Sequence, residues 1–274
     1  MHPSAAPDGR NLQRRLISTA VILPLAAAAI WAGSWWFAVL LAALSAAMCW
    51  EWAQVCQAPR RGVRDVMVGV AVVAPASLIL FGFPAVVAVI AAGMVVNTVL
   101  IRHFRAPNKI VLLVGLPYVV LGVVSAGWLR GDTEAGLATV LWLVAAVIAT
   151  DVGAYFAGRG LGGPKLAPRI SPSKTWSGLA GGMICAGLVG LGFAMAGWAA
   201  SAVWLTMASV IVAIVAQLGD LIESSLKRHF NVKDASQLIP GHGGFLDRFD
   251  GYLTVMPTAA LISAATGGSP IIWQ

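Results

Sequence analysis

The chain has 274 residues, of which 59% are apolar and 11% are charged, with a formal net charge of +7 and a mean hydropathy of +0.84. Soluble domains carry about 25% charged residues, so this composition excludes a water-soluble globular protein. The continuous apolar runs also exclude a transmembrane β-barrel, whose strands alternate apolar and polar residues. The chain is therefore predicted to be a polytopic all-α membrane protein, with residues 1–274 forming a single integral membrane domain.

Residues 1–15 are polar and include Arg10, Arg14 and Arg15, and we expect them to form a cytoplasmic N-terminal tail. A membrane-spanning helix needs roughly 20 apolar residues, and this length divides the rest of the chain into nine predicted spans. In chain order, the spans cover about 16–32, 35–55, 66–82, 84–101, 110–129, 136–157, 176–198, 201–222 and 250–267. The first run shows no clear cleavage site, which favours a retained span over a secretory signal peptide.

The distribution of Lys and Arg residues predicts the orientation of these spans, because cytoplasmic loops of membrane proteins are enriched in both. With the N-terminus in the cytoplasm and the C-terminus outside, all but one of the 18 Lys and Arg residues fall in cytoplasmic segments, and Arg130 is the exception. The positive charge is thus explained by topology and by anionic lipid heads, and we expect no nucleic-acid partner. The expected location is a bacterial inner membrane.

Acidic residues near the cytoplasmic ends of spans six and eight predict a metal site. Asp151 lies about two turns inside span six, and Asp220 and Glu223 share one face of span eight by their i, i+3 spacing. Carboxylates in a membrane are costly unless they are paired, protonated or bound to a cation, and hard divalent cations prefer oxygen ligands. The alternatives are a structural hydrogen bond from Asp151 and a salt bridge from an acid of span eight to Lys227 or Arg228.

A second acidic pair follows a His-Gly-Gly turn just before span nine. Gly243 and Gly244 would let the backbone approach a phosphate closely. A helix that begins near Gly244 would place Asp247 and Asp250 on one face. The alternative is a glycine turn with solvated acids, and for His242 binding, orienting and capping all remain open.

The run at 171–178, Ser-Pro-Ser-Lys-Thr-Trp-Ser-Gly, leads into span seven. We expect Ser173 to cap the helix and Lys174 to lie in its first turn, where it can reach a phosphate. The alternative is ordinary capping with a lysine that only fixes topology. Because spans seven and nine begin at the cytoplasm, their positive dipole ends favour phosphate, while the ends of spans six and eight favour a cation.

The segment 224–250 resembles the signature of the phosphatidate cytidylyltransferase family, also called the CDP-diacylglycerol synthases. It reads Ser-x-apolar-Lys-Arg, then Lys-Asp after four residues, and His-Gly-Gly-apolar-x-Asp-Arg-apolar-Asp after a short spacer. The run at 171–178 is similar to a second landmark of that family. The resemblance implies a transfer of the cytidylyl group of CTP to phosphatidic acid with release of pyrophosphate. It also implies one or two Mg²⁺ ions as the cofactor and an active site that is open to the cytoplasm. Membrane lipids are expected partners, and many members form a homodimer.

The resemblance places the catalytic helices and cytoplasmic loops within residues 136–267. The catalytic residues that it implies are Asp220, Asp247, Asp250 and Lys174. The implied metal ligands are Asp220, Asp247 and Asp250, with Glu223 and Asp151 as secondary candidates. The implied substrate-binding residues, for the triphosphate and the lipid phosphate, are Ser171, Ser173, Lys174, Thr175, Lys227, Arg228, Lys233, His242, Gly243, Gly244 and Arg248.

Three other functions are compatible with a polar cluster in a membrane protein. A kinase or cytidylyltransferase acting on a polyprenyl lipid would use similar groups. The CDP-alcohol phosphatidyltransferases also use acidic residues, but their Asp-Gly-x-x-Ala-Arg motif is missing, since Tyr-Leu-Thr-Val follows Asp250-Gly251. A transporter of a phosphorylated solute would place its polar residues near the membrane midplane and often show inverted repeats, and neither feature is visible in the sequence.

Overall fold

The computed structural model describes residues 24–59, 62–239 and 243–272. Within these ranges the chain forms nine α-helices and one two-stranded antiparallel sheet. Helix α1 covers 24–32 of the described residues. The other helices are α2 (Ser34–Val55), α3 (Val63–Phe81), α4 (Phe83–His103), α5 (Lys109–Arg130), α6 (Gly136–Leu161), α7 (Trp176–Met195), α8 (Ala202–His229) and α9 (Leu246–Thr266). The strands are β1 (Lys165–Ala167) and β2 (Ser171–Thr175), and a short 3-10 helix covers Pro270–Ile272.

Seven of these helices, α2 to α8, are long and apolar enough to cross a membrane. Helix α9 has 21 residues but carries Asp247, Arg248 and Asp250 in its first two turns, and it falls outside this group. The largely helical membrane architecture agrees with the sequence prediction. The count of nine spans and the orientation of the termini stay predictions, and the expected tail at 1–15 lies outside the described residues.

Two local expectations about the segment before α7 are wrong. The predicted loop contains the β1–β2 hairpin, in which Lys165 pairs with Thr175. Thr175, not Ser173, caps α7, because its side chain accepts a hydrogen bond from the N–H of Gly178 at 3.0 Å. Lys174 therefore lies in β2, before the cap, and not in the first turn of the helix.

Glycines allow α6, α7 and α8 to pack closely. A Cβ atom on Gly153 of α6 would lie 2.6 Å from both the carbonyl oxygen of Gly181 and Sγ of Cys185 on α7. A Cβ atom on Gly190 of α7 would lie 2.6 Å from the carbonyl oxygen of Leu205 on α8. Small residues at helix crossings permit such backbone approach in membranes, and here they hold the hairpin beside α8.

The crossing of α8 and α9 is equally close and has a consequence for the polar residues. A Cβ atom on Gly219 would lie 2.5 Å from Oγ1 of Thr254 and closer still to the carbonyl oxygen of Asp250. Oγ1 of Thr254 in turn donates a hydrogen bond to the carbonyl oxygen of Val215 at 2.9 Å. The crossing therefore fixes Asp220, the neighbour of Gly219, close to Asp250.

Polar side chains of Trp52 and Arg130 connect the N-terminal helices to α5. Trp52 of α2 donates its indole N–H to the carbonyl oxygen of Val111 at 3.0 Å, and its ring fills the space beside Gly115 of α5. Arg130 at the end of α5 donates to the carbonyl oxygens of Ile30 and Trp31 at 2.7 and 2.9 Å. Arg130, the one cation predicted to lie outside, thus caps the C-terminal end of α1.

Candidate active site

Three carboxylates from two helices come together where α8 ends and α9 begins. Asp220 and Glu223 lie on one face of α8, and Asp250 lies in the second turn of α9. One oxygen atom of each lies within 4.8 Å of the other two. The Gly219 crossing accounts for this arrangement, since it places the backbone of Asp250 against α8. We call Asp220, Glu223 and Asp250 the acidic cluster.

The acidic cluster fits a divalent cation. Glu223 is 4% exposed, and among the described residues neither of its oxygens accepts a hydrogen bond of suitable geometry, although Oε2 lies 2.5 Å from Nζ of Lys227. Oδ1 of Asp220 accepts a long bond, at 3.2 Å, from Oγ of Ser224. Adjacent carboxylates, of which Glu223 is buried and Asp220 and Asp250 are half-buried, are costly without compensating cations, and their hard oxygen atoms are the ligands that Mg²⁺ and Ca²⁺ prefer.

Lys174 reaches the acidic cluster from the β1–β2 hairpin. Its ammonium group forms an ion pair with Oδ2 of Asp220 and donates to Oε1 of Gln217 at 2.8 Å. Both partners belong to α8, so Lys174 connects the strand before α7 to the face that carries the acids. The structure therefore brings this predicted phosphate-binding residue directly to the predicted metal site.

Asp247 lies beside the acidic cluster and has different partners. Its Oδ1 accepts a hydrogen bond from Nζ of Lys227 at 2.7 Å, and Lys227 also pairs with Glu223. Its Oδ2 accepts bonds from the backbone N–H groups of Gly244 and Ala235 at 2.9 and 3.0 Å. Asp247 thus holds the segment before α9 against α8, and its predicted role as a metal ligand stays a prediction.

Asp151 of α6 belongs to the same charged region. The charges of Asp220, Lys174 and Arg248 act on its carboxylate, and its own charge acts on Asp250. Asp151 is not one of the three residues whose carboxylate oxygens lie within 4.8 Å of one another. Its ligand role also stays a prediction.

The remaining predicted residues lie around this centre, and some are exposed while Thr175 and Gly244 are buried. Arg228 donates from Nε to the carbonyl oxygen of Ile170 at 3.2 Å, which ties the end of α8 to the hairpin. Gly243 has a positive φ of 83°, as expected of a glycine turn, and its carbonyl oxygen accepts the N–H of Ile239 at 2.9 Å. Ser173 and Lys233 are exposed, and Ser171 is half-buried. His242 lies outside the described residues.

Sequence reasoning missed Glu51, a residue of α2 that reaches the same region. Its carboxylate is fully buried and accepts three hydrogen bonds, from Oγ of Ser236 at 2.5 Å and from the N–H groups of Phe245 and Leu246 at 2.9 and 2.7 Å. The available signal was a carboxylate inside an otherwise apolar helix, which is costly unless partnered. Its hydrogen-bond partners lie almost 200 positions away in the sequence, so they could not be predicted from local spacing.

An apolar cavity of about 420 Å³ adjoins the polar region. Its lining comes from α1, α2, α5, α6, α9 and Ile239, and includes Leu41, Leu44 and Leu253. Arg248 is the charged member of this lining. The first two turns of α9 therefore contribute to the acidic cluster, through Asp250, and to the cavity wall, through Arg248.

Comparison with known proteins gives a consistent result over most of the chain. The model of the Cytidylyltransferase family matches residues 13–265. A protein of Brucella suis named phosphatidate cytidylyltransferase is 36% identical over 265 residues, which cover 93% of this chain and 94% of the relative. The Bacillus subtilis protein of that name is 43% identical over 130 residues, covering 47% of this chain and 48% of its own. The protein of that name from Staphylococcus saprophyticus is 42% identical over 157 residues, which cover 57% of this chain and 59% of the relative.

Proposed function

This chain belongs to the cytidylyltransferase family, and from that premise we propose that it transfers the cytidylyl group of CTP to phosphatidate. The products are CDP-diacylglycerol and pyrophosphate, and the chain is a nucleotidyltransferase of phospholipid biosynthesis. The observation that carries this proposal is the position of the acidic cluster beside an apolar cavity whose wall contains Arg248. The comparisons support this substrate over a polyprenyl lipid and an enzyme over a transporter.

The reaction requires positioning and charge neutralisation more than proton transfer. One phosphate oxygen of phosphatidate forms a bond to the α-phosphorus of CTP, while the bond from that phosphorus to the pyrophosphate oxygen breaks. The second pKa of a phosphate monoester is about 6, so the attacking oxygen is largely ionised at neutral pH. A general base is therefore unnecessary, and His242 is not assigned that role.

The acidic cluster would hold Mg²⁺, the cofactor that we propose. When bound, the ion neutralises negative charge on the phosphates that the transfer brings together. Asp220, Glu223 and Asp250 supply the oxygen ligands, since their carboxylates lie within 4.8 Å of one another. Asp247 and Asp151 are proposed as further ligands of one or two ions, supported by their proximity and by the charges that they share with the cluster.

Cationic residues on three elements would bind the substrate phosphates. Lys174 of β2 and Lys227 of α8 are already paired with acids of the site, so each can exchange a carboxylate partner for a phosphate. The N-terminal ends of α7 and α9 add positive dipole ends to the same region. Arg228, Lys233, Ser171, Ser173, Thr175, Gly243 and Gly244 remain proposed contacts at its edge.

The apolar cavity would take part of the lipid. Arg248 in its wall would pair with the lipid phosphate as a planar donor, and the side chains from α2 and α9 would contact the acyl chains. This arrangement delivers the phosphate of the lipid to the acidic cluster while its tails stay in an apolar environment. We place the site at the cytoplasmic side of the membrane, supported by the bias of Lys and Arg residues in the sequence. A homodimer stays a prediction.

Purified protein in lipid nanodiscs, supplied with labelled CTP, Mg²⁺ and defined phosphatidic acid, tests this proposal. We expect a labelled liponucleotide and an equal amount of pyrophosphate, both dependent on phosphatidic acid. Pyrophosphate release without the lipid, or a labelled product only with a polyprenyl phosphate, would contradict the proposal. Reaction with diacylglycerol in place of phosphatidic acid would also contradict it, because diacylglycerol lacks the attacking phosphate.

A further inference from the structure

Among the described residues, the hydrogen bonds to the buried carboxylate of Glu51 come from one distant segment, 236–246. Oε1 accepts bonds from Oγ of Ser236 and the N–H of Phe245, and Oε2 accepts one from the N–H of Leu246. A buried carboxylate requires such compensation, because its transfer from water costs several kcal/mol. Glu51 therefore couples the middle of the N-terminal half to the start of α9.

Two of these donors, the N–H groups of Phe245 and Leu246, belong to the groups that a helix leaves unpaired at its beginning. The first N–H groups of an α-helix have no partner within the helix, and the N-cap residue of α9, Phe245, provides no side-chain cap. Glu51 supplies the missing acceptor from another helix. A negative charge at the positive end of a helix is also favourable.

The start of α9 also determines where two proposed site residues, Asp247 and Asp250, lie. Asp247 lies one residue after Leu246, and its Oδ2 accepts the N–H of Gly244 at 2.9 Å. A Cβ atom on Gly244 would lie 2.8 Å from Oε1 of Glu51, so the turn fits tightly between the two carboxylates. Asp250 follows one turn later in the acidic cluster.

We propose that Glu51 is a positioning residue for cytidylyl transfer. It does not touch the acidic cluster in the described residues. It fixes the first turn of α9, and through that turn it fixes Asp247 against Lys227 and Asp250 against α8. Trp52, the next residue, anchors this part of α2 to α5, so that Glu51 acts from a rigid support. The expected loss of kcat rests on the proposed function, whereas the expected change in hydrogen exchange does not.

Glu51→Gln in the full-length protein tests this role, since it preserves size but places an amide NH₂ against backbone donors. Supporting residues of this kind typically cost about 10–100-fold on removal. We expect kcat to fall by about that factor while the KM for CTP changes less than about threefold. Hydrogen exchange of at least one of the Phe245 and Leu246 amides should accelerate at least about tenfold, because glutamine offers one acceptor oxygen where the carboxylate offers two.

Three companion variants separate positioning from general packing. Cys49→Ala, also at a fully buried position of α2, should leave exchange at residues 245–246 unchanged. Ser236→Ala removes one of the three bonds and should give a smaller change in the same direction. If Glu51→Gln does not fold, hydrogen exchange in Ser236→Ala still tests the proposal. Glu51→Asp keeps the charge and should recover part of the lost kcat.

Unchanged exchange at residues 245–246 in Glu51→Gln, or in Ser236→Ala if only that variant folds, would overturn the positioning role. An equal acceleration in Cys49→Ala would overturn it as well. These outcomes differ from failure of the proposed function, which would appear as a wild-type protein that makes no CDP-diacylglycerol. The exchange measurement does not depend on that reaction.

Discussion

Gly219→Ala is the substitution for which the structure gives the clearest geometric expectation. The added methyl group would lie 2.5 Å from Oγ1 of Thr254, whereas ordinary van der Waals contact begins at 3.4 Å. The backbone carbonyl oxygen of Asp250 lies closer still and cannot rotate away. Helix α9 must therefore move from α8 by about 1 Å, the difference between 3.4 and 2.5 Å, and that movement separates Asp250 from Asp220.

A displacement of about 1 Å at a reacting centre can cost about 100-fold in rate. We therefore expect Gly219→Ala to lower kcat by about that factor. Overpacking should cost a further 1–3 kcal/mol, roughly, of stability. The assay is CDP-diacylglycerol formation in nanodiscs, with thermal unfolding measured in parallel.

Gly192→Ala of α7 is the matched control, because no atom in the part of the chain that the structure describes lies within 4 Å of its added Cβ. It should retain full activity and gain slightly in helix stability. Normal kcat in Gly219→Ala, with the protein folded, would refute the idea that this crossing sets the geometry of the acidic cluster. An equal loss in Gly192→Ala would point to a general effect of alanine in the bundle instead.

Three further predictions address the charges of the site. Asp220→Asn should lower kcat by at least about 100-fold while the protein still inserts into membranes, and near-normal turnover would remove Asp220 from the metal site. Lys174→Ala should reduce kcat/KM for CTP by at least about tenfold, whereas Arg64→Ala, whose ion pair with Asp65 is long at 3.8 Å, should have little effect; equal losses would leave Lys174 as a topology charge. EDTA should stop CDP-diacylglycerol formation and Mg²⁺ should restore it, and indifference to chelation would exclude a metal-assisted transfer.

The apolar runs predicted most helices to within a few residues, since membrane helices must be about 20 residues long. Span eight was predicted to end at about 222, whereas helix α8 continues to His229. Its last turns are polar, so hydropathy gives no signal for them, but the i, i+4 pair of Glu223 and Lys227 supports the helix there. Helix α9 begins at Leu246, close to the helix start near Gly244 that the spacing of Asp247 and Asp250 predicted and four residues before the predicted span at 250, and Glu51 accepts the N–H of Leu246 there.

Local spacing predicted that Asp220 and Glu223 would share a face, and only the resemblance to the family, not the spacing, placed Asp250 with Asp220; in the structure the three lie together. That third member depends on how two helices cross. The crossing is set by Gly219, whose lack of a side chain has no distinctive sequence signal in a chain with 30 glycines. Long-range contacts of this kind, like that of Glu51 with Phe245, are consequences of tertiary packing and do not follow from periodicity.

Binding of Mn²⁺, a spectroscopic substitute for Mg²⁺, to purified protein without substrates tests the central claim most directly. The claim is that carboxylates of α8 and α9 hold a divalent cation between them. Electron paramagnetic resonance should show saturable Mn²⁺ binding to the wild type, displaced by Mg²⁺, and a loss of at least about tenfold in affinity in both Glu223→Gln and Asp250→Asn. Equal Mn²⁺ affinity in the wild type and in both variants would contradict the account.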